Sequence, residues 1–345
     1  MNNGFRLPAE WHRQSAVLFV WPHGRSDWST SLDAIQDVYE RMAIEISRRQ
    51  ALWIVCYDEA LQAAIQQRLQ NAGATTHNIR YFIAPTNDTW ARDTAPLTVL
   101  DGVGRGRLRN FRFNGWGGKY PHDLDDGLNQ RLAGQNAFDA ARLDSIDLVL
   151  EGGSVETDGN GTLLTTAQCL LTTTRNPRLS QSEIERTLSE ALGLKRFLWL
   201  HEGSLAGDDT DSHVDNLARF TAPGTITYVR CDDTGDEHFA ALAAMEAELR
   251  QFRQANGEPY RLVPLPWPKA IVEDGERLPA SYANFLVING AVMVPAFADP
   301  ADAEACRRIG DCFPGREIVP IDSRPLIAQR GGIHCATMQF PLWKD

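Results

Sequence analysis

The chain has 345 residues, 43% of them hydrophobic and 23% charged, with the charges spread along its length; this supplies a sizeable core and excludes a largely disordered protein. Lys plus Arg number 34 against 45 Asp plus Glu, a formal charge of −11, and that balance opposes the counterion release that sustains nucleic-acid binding. No run stays apolar for the ~18 residues of a membrane span, and the N-terminus lacks the basic start and apolar stretch of a secretory signal, so a cytoplasmic chain with no nucleic-acid and no membrane partner is expected.

From the N-terminus, apolar and β-branched content predicts a strand over 16–21, an amphipathic helix over 32–46, a strand over 52–56 and a helix over 59–69. Strands are predicted next over 80–83, 108–113, 148–150 and 162–166. Ser180, with Glu183 three residues on, reads as a capping box heading a helix over 183–192. Strands over 197–200 and 225–230, a helix over 237–252 and a strand over 260–265 follow. Two close strands, 285–288 and 292–295, are joined through Asn289-Gly290, a strong hairpin signal. A helix over 300–309 and strands over 317–321 and 334–339 complete the series. Helices alternating with hairpins suit a radial α/β arrangement, and no G-x-G-x-x-G follows a strand to favour a Rossmann sheet. No composition break marks a boundary, so residues 1–345 are read as a single domain.

Six cysteines, at 56, 169, 231, 306, 312 and 335, include no C-x-x-C pair, which suits a reducing compartment better than a disulfide framework. The sequons at Asn87 and Asn160 are then chance matches. Four segments concentrate reactive groups and glycine: Thr89-Trp-Ala-Arg-Asp-Thr-Ala-Pro96, Leu150-Glu-Gly-Gly-Ser154, Gly207-Asp-Asp-Thr-Asp-Ser-His-Val-Asp-Asn216 and Gly331-Gly-Ile-His-Cys-Ala-Thr337. Cys335 follows a Gly-Gly pair whose backbone freedom would let the loop bend tightly at the mouth of a strand, a good place for a nucleophile; the other reading is a small apolar core residue. The remaining cysteines, Cys169 among them, sit in apolar patterns and read as core. His213 lies among Asp208, Asp209, Asp211 and Asp215, which fits a metal site, a solvated acidic loop, or a histidine tuned to act as acid and base. Asp93 and Glu151 sit where strands meet turns, as site carboxylates do and as turn or cap residues also do.

Together these segments resemble the agmatine deiminase family of the guanidino-group-modifying superfamily. Further matches are Leu7-Pro-Ala-Glu-Trp11, Val20-Trp-Pro22, Asp27-Trp28, Phe113-Asn-Gly-Trp-Gly-Gly118, Asn176-Pro-Arg-Leu-Ser180 and Ala280-Ser-Tyr-Ala-Asn-Phe285, so the likeness spans nearly the whole chain. The resemblance implies a pentein fold, a five-bladed α/β propeller with pseudo-fivefold symmetry and the site in its central funnel. It implies a nucleophile at Cys335, an acid/base at His213 partnered by Glu151, and substrate contacts from Asp93, Asp215 and Trp90. It implies a small cationic guanidine as substrate, no metal or other cofactor, and a chain for which homo-oligomerisation stays open. The sequence departs from the family at Ala95 and Ser212, where glycine is frequent, at Val155-Glu156, where Ile-His is frequent, and at Thr172-Thr-Thr174.

The implied chemistry needs these residue types. A guanidinium is planar, cationic and rich in in-plane N–H donors, so two fixed carboxylates can grip it and hold its carbon before a thiolate. A protonated imidazole can then release ammonia and afterwards take a proton from water. An arginine substrate would add an α-carboxylate and call for an inward Arg, for which Arg92, Arg112, Arg175 and Arg219 are candidates. A deiminase of peptidyl arginine, an amidinotransferase passing the same intermediate to an amine, a catalytically silent binding protein on the same fold and a metal-dependent hydrolase are the competing readings.

Overall fold

A computed structural model describes residues 4–139 and 141–344 of the chain; positions 1–3, 140 and 345 of the expected single domain lie outside it. The strand Gln14–Val20 shows how the elements arise. Its run Ala-Val-Leu-Phe-Val is buried throughout, as a strand covered on both faces must be. It pairs antiparallel with Thr337–Pro341 on one side and parallel with Ala51–Cys56 on the other, and Ala51–Cys56 pairs parallel with Ile79–Ile83. Helices Leu32–Ser47 and Glu59–Asn71 make the two parallel crossovers, since parallel neighbours need a long return path.

Four further sheets each pair a hairpin with a helical crossover to a parallel strand, whereas in this first one the antiparallel partner comes from the far end of the chain. Leu97–Leu100, Gly106–Arg112 and Arg142–Val149 form one such sheet, and Glu156–Thr157, Thr162–Thr166 and Arg196–Leu200 the next. Ala218–Ala222, Thr225–Val229 and Arg261–Leu265 form another, with helix Phe239–Gln251 as its crossover. Leu286–Ile288, Ala291–Ala296 and Glu317–Asp322 form the last, crossed by helix Asp302–Cys312. Each sheet is an open, linear strand order, and a small ribbon of Val272–Glu273 with Glu276–Arg277 stands apart.

The expected hairpin at Asn289-Gly290 is present, with Ile288 opposite Ala291 and Gly290 at φ +76°. The capping box is present too: Glu183 accepts from the Ser180 backbone N–H at 2.8 Å and opens helix Gln181–Leu192. Three expectations need correction. Leu97–Leu100 and Ala218–Ala222 are strands that the apolar pattern did not reveal, being runs of only four and five residues, the second interrupted by a buried Arg219. The strand expected over 148–150 starts at Arg142, in a half-exposed stretch where polar residues dominate. The strand expected from 334 begins at Thr337, so His334 and Cys335 lie in the turn before it.

Candidate active site

Each connection between successive sheets delivers reactive side chains. Residues 84–96 carry Trp90, Arg92 and Asp93; 150–155 carry Glu151; 201–217 carry His213 and Asp215; 266–285 carry Asn284; 323–336 carry His334 and Cys335. All five of these connections contribute to one buried polar cluster.

Cys335 is 5% exposed. Its Sγ accepts a hydrogen bond from Asn284 Nδ2 at 3.1 Å and lies 3.6 Å from Asp215 Oδ2. The Asn284 side-chain oxygen accepts from the backbone N–H of His334 at 2.9 Å and of Cys335 at 3.3 Å, so a single amide fixes both the turn and the thiol. Burial, with the charges of Asp215 and Asp93 next in weight, pushes the thiol well above the usual cysteine range. The Gly-Gly pair before it serves close approach rather than unusual backbone angles. A Cβ on Gly331 would stand 2.2 Å from the Trp90 ring, and one on Gly332 would stand 2.3 Å from Asn284 Oδ1, while neither residue has positive φ.

His213 is fully buried, with Nδ1 3.7 Å from Asp93 Oδ1 and Nε2 3.7 Å from Glu151 Oε2, and neither ring nitrogen has a hydrogen-bond partner. Burial opposes its charged form, yet the surrounding negative groups, led by Asp93, hold it protonated well above the ordinary histidine value. Asp93 Oδ1 accepts from the Gly153 backbone at 2.9 Å, and Oδ2 accepts from Trp116 Nε1 at 2.9 Å. Burial raises Asp93, and Asp215 and Glu151 add to the rise while His213 opposes it. Glu151 is also raised by burial, but His213 and Arg175 bring it below the usual carboxylate range. Arg175 Nε donates to both Glu151 oxygens, at 2.9 and 2.8 Å.

The acidic loop before His213 proves to be a built support. Asp208 accepts from the Ser212 backbone at 2.7 Å, Asp209 from Tyr120 Oη at 2.7 Å, and Asp211 from Arg175 at 2.6 Å and Lys119 at 2.9 Å. Asp211 and Ser212 both stand at left-handed φ, +64° and +65°, a conformation that costs a non-glycine residue about 1–2 kcal/mol. A glycine at 212 would take that conformation without the cost, whereas Ala95, at φ −75°, makes no such demand. The carboxylates of Asp208, Asp209 and Asp211 are therefore engaged elsewhere and do not form a metal site with the imidazole. Glu151, Cys169 and His213 do bring one ligand atom each within 4.8 Å of one another. The Arg175 guanidinium already spans that carboxylate, so the group does not suit a divalent cation. Cys169, expected to be plain core, packs in the core and also places Sγ 3.7 Å from Glu151 Oε2.

A cleft enclosing about 510 Å³ opens over this cluster, lined by Asp27, Asp88, Asp209, the Trp90–Trp116–Tyr120 aromatics, Asp93 and Cys335. Trp90, Asp93 and Cys335 thus line it; Asp215 stands directly against the lining thiol at 3.6 Å and His213 against the lining Asp93 at 3.7 Å, with Glu151 on the other side of the imidazole. Burial raises Asp88 to about 7, leaving it poised to ionise when a cation arrives. Of the arginines weighed as carboxylate binders, Arg92 donates to the His334 carbonyl, Arg175 holds Glu151, Arg219 lies between Glu10 and Glu156, and Arg112 pairs with Asp147 at the surface. None of them lines the cleft. Arg330 does, and it is bonded to Glu276.

Sequence reasoning gave Trp116, Asn284, His334 and Glu10 no role, although each lies in a segment quoted above, and weighed Arg175 only as a carboxylate binder, where it holds Glu151. Trp116 had a signal in its place among the glycines of Phe113-Asn-Gly-Trp-Gly-Gly118; the structure sets it at left-handed φ, +53°, and such strain concentrates at functional sites. The profile of the Porphyromonas-type peptidyl-arginine deiminase family matches residues 6–341, and the chain belongs to that family. It is similar to the agmatine deiminase of Pseudomonas aeruginosa, 35% identical over 98% of this chain and 96% of the relative. Among solved structures, it matches a substrate-bound variant of the C. jejuni agmatine deiminase with TM-score 0.91 and 32% identity, over 99% and 97% of the two chains. A Porphyromonas gingivalis structure, solved as a candidate arginine deiminase, matches with TM-score 0.90 and 45% identity over 98% of each.

Proposed function

We propose that this chain is an agmatine deiminase, hydrolysing agmatine to N-carbamoylputrescine and ammonia. The observation that carries the reading is the cleft itself: a thiol and buried carboxylates at its floor, aromatic walls, and three further aspartates at its rim. The one lining arginine is already bonded to a glutamate. Such a lining favours a substrate that is cationic at both ends and offers no free guanidinium to the α-carboxylate of arginine. The same reading takes the five repeated sheets as the blades of a pentein about a pseudo-fivefold axis, and residues 1–345 as a single catalytic domain acting in the cytoplasm in polyamine formation.

In this mechanism the guanidinium enters between Asp93 and Asp215, beneath Trp90. Its positive charge offsets the two carboxylates that hold the Cys335 thiol protonated, so the thiol loses its proton to water and Sγ adds to the guanidinium carbon. His213 donates its proton to the departing nitrogen, the C–N bond breaks, and ammonia leaves an S-alkylthiouronium on Cys335. Water then adds to that carbon and gives a proton to the imidazole. The C–S bond breaks as the hydroxyl proton passes to the departing sulfur, releasing the ureido product and returning the thiol. Glu151, itself held by Arg175, keeps the imidazole oriented and favours its charged form. The route requires no metal, nucleotide or flavin.

A panel of agmatine, free arginine and an arginyl peptide, scored by ureido product, tests the reading. We expect agmatine to exceed arginine in kcat/KM by ~10²-fold or more, because a buried site without a free cation leaves a carboxylate unpaired. Arginine or peptide turned over equally well would refute it. A second test addresses the packing around the imidazole. A Cβ at Gly153 would fall 2.4 Å from His213 Nδ1 and 3.0 Å from Asp93 Oδ1. Gly153→Ala is therefore expected to lower kcat by ~10²-fold, the scale of an ångström's misplacement, with the circular-dichroism spectrum unchanged.

A further inference from the structure

We propose that Glu10 and His334 are positioning residues that aim Asp215, turning one of its oxygens back into the protein and leaving the other free to receive the substrate's guanidinium. The proposal rests on the deiminase reading above and concerns groups which that mechanism does not use. His334 Nδ1 lies 2.7 Å from Asp215 Oδ2, and Nε2 lies 2.7 Å from Glu10 Oε2. Each of these side chains is at most 6% exposed. The imidazole thus bridges the two carboxylates, one at each ring nitrogen. Glu10 is held in turn: Oε2 accepts from Arg219 Nη2 at 2.5 Å and Oε1 from the Val287 backbone at 2.6 Å. Arg219 is anchored by Glu156 at 2.5 Å and by the carbonyls of Ala283 and Phe285, the neighbours of Asn284.

The chain Arg219, Glu10, His334, Asp215 thus ends 3.6 Å from Cys335 Sγ. At its end Asp215 Oδ1 is buried with no hydrogen-bond partner. An ionised oxygen left unpaired in a network otherwise this complete calls for a ligand. Glu156, standing where the family often has histidine, belongs to the same chain, so that departure is accommodated by Arg219. Burial pushes Asp215 up, and His334 first, then His213 and Arg219, bring it below the usual carboxylate range. Arg92, Asp93 and Cys335 are the other charged or titratable groups facing it.

The test compares two alkylating probes of Cys335, cationic 2-chloroacetamidine and neutral 2-chloroacetamide, in the full chain and in His334→Gln. The wild type is expected to prefer the amidinium probe, and His334→Gln to lose at least ~10-fold of that preference. With agmatine, the variant should raise KM more than it lowers kcat. The acid limb of kcat/KM should move to higher pH, because an Asp215 released from His334 takes up its proton sooner as pH falls. Should His334→Gln fail to fold by thermal melting, Glu10→Gln, in which Glu156 still holds Arg219, carries the same measurements. A folded variant with unchanged probe preference and an unmoved acid limb would overturn the proposal, whatever its kcat. Failure of the wild type to convert agmatine would refute the substrate assignment while leaving the probe comparison decisive for the positioning role.

Discussion

Cys335→Ser will abolish agmatine turnover while the protein stays folded. The thiol already ionises with difficulty, because burial and the charges of Asp215 and Asp93 raise it well above its usual range; a hydroxyl in the same place is a far weaker acid, and bound substrate cannot make up the difference. Asn284 Nδ2 donates to the sulfur at 3.1 Å and can donate to the serine oxygen equally, so the local packing survives. Removing a nucleophile that acts in concert with its base typically costs on the order of 10⁴-fold or more. The ureido-product assay reads the loss, and intact mass after acid quenching reads the covalent intermediate, present in the wild type and absent from the variant. Residual turnover above about a hundredth of the wild-type rate would remove the thiol from the mechanism.

His213→Ala is expected to lose ~10²–10⁴ in kcat, the contribution of a positioned acid and base. The argument rests on its two unpartnered ring nitrogens, each 3.7 Å from a carboxylate; a buried imidazole so placed is held by charge and left available for hydrogen bonding. Its effect on stability has a definite sign. The folded protein raises His213 above its unfolded value of about 6.5, so the charge stabilises the fold fully below that pH and progressively less as pH rises through the higher folded value. The melting-temperature difference between wild type and His213→Ala should therefore be largest in mildly acidic buffer and shrink toward alkaline pH. A difference that grows with pH would show that the imidazole is buried neutral.

Much of this was legible in the residues. Runs such as Ala16-Val-Leu-Phe-Val20 and the Asn289-Gly290 turn place strands because local pattern and final burial agree. Cys335, His213, Asp93, Glu151 and Asp215 stood out because each lies in a short segment dense in glycine and charge. His334 lies in one of those segments, yet its partnership with Glu10 could not be read there, for a physical reason: the two bond at 2.7 Å across 324 residues of sequence, and no local pattern reports on a contact of that span. The roles of Arg175 and Asn284 were hidden likewise: Arg175 was weighed as a binder of a substrate carboxylate, and only tertiary structure seats it on Glu151 and Asn284 on Cys335. Apolar content continues through 333–340, which carries the expected strand back over Cys335; the Asn284 side chain, accepting from the His334 and Cys335 backbone N–H groups, holds it in the turn instead.

The pairing of Gln14–Val20 with Thr337–Pro341 bears on how the enzyme comes into being. The ladder closes a ring of more than 300 residues, and Ser15 reaches the carbonyl of Phe340 across 325 of them. Such distant contacts repay their loop entropy only when the intervening structure has largely formed. The turn bearing Cys335 lies just ahead of that strand, so under the proposed mechanism the other four sheets can form while the site is still incomplete. Catalytic competence then arrives in the same event that seals the fold.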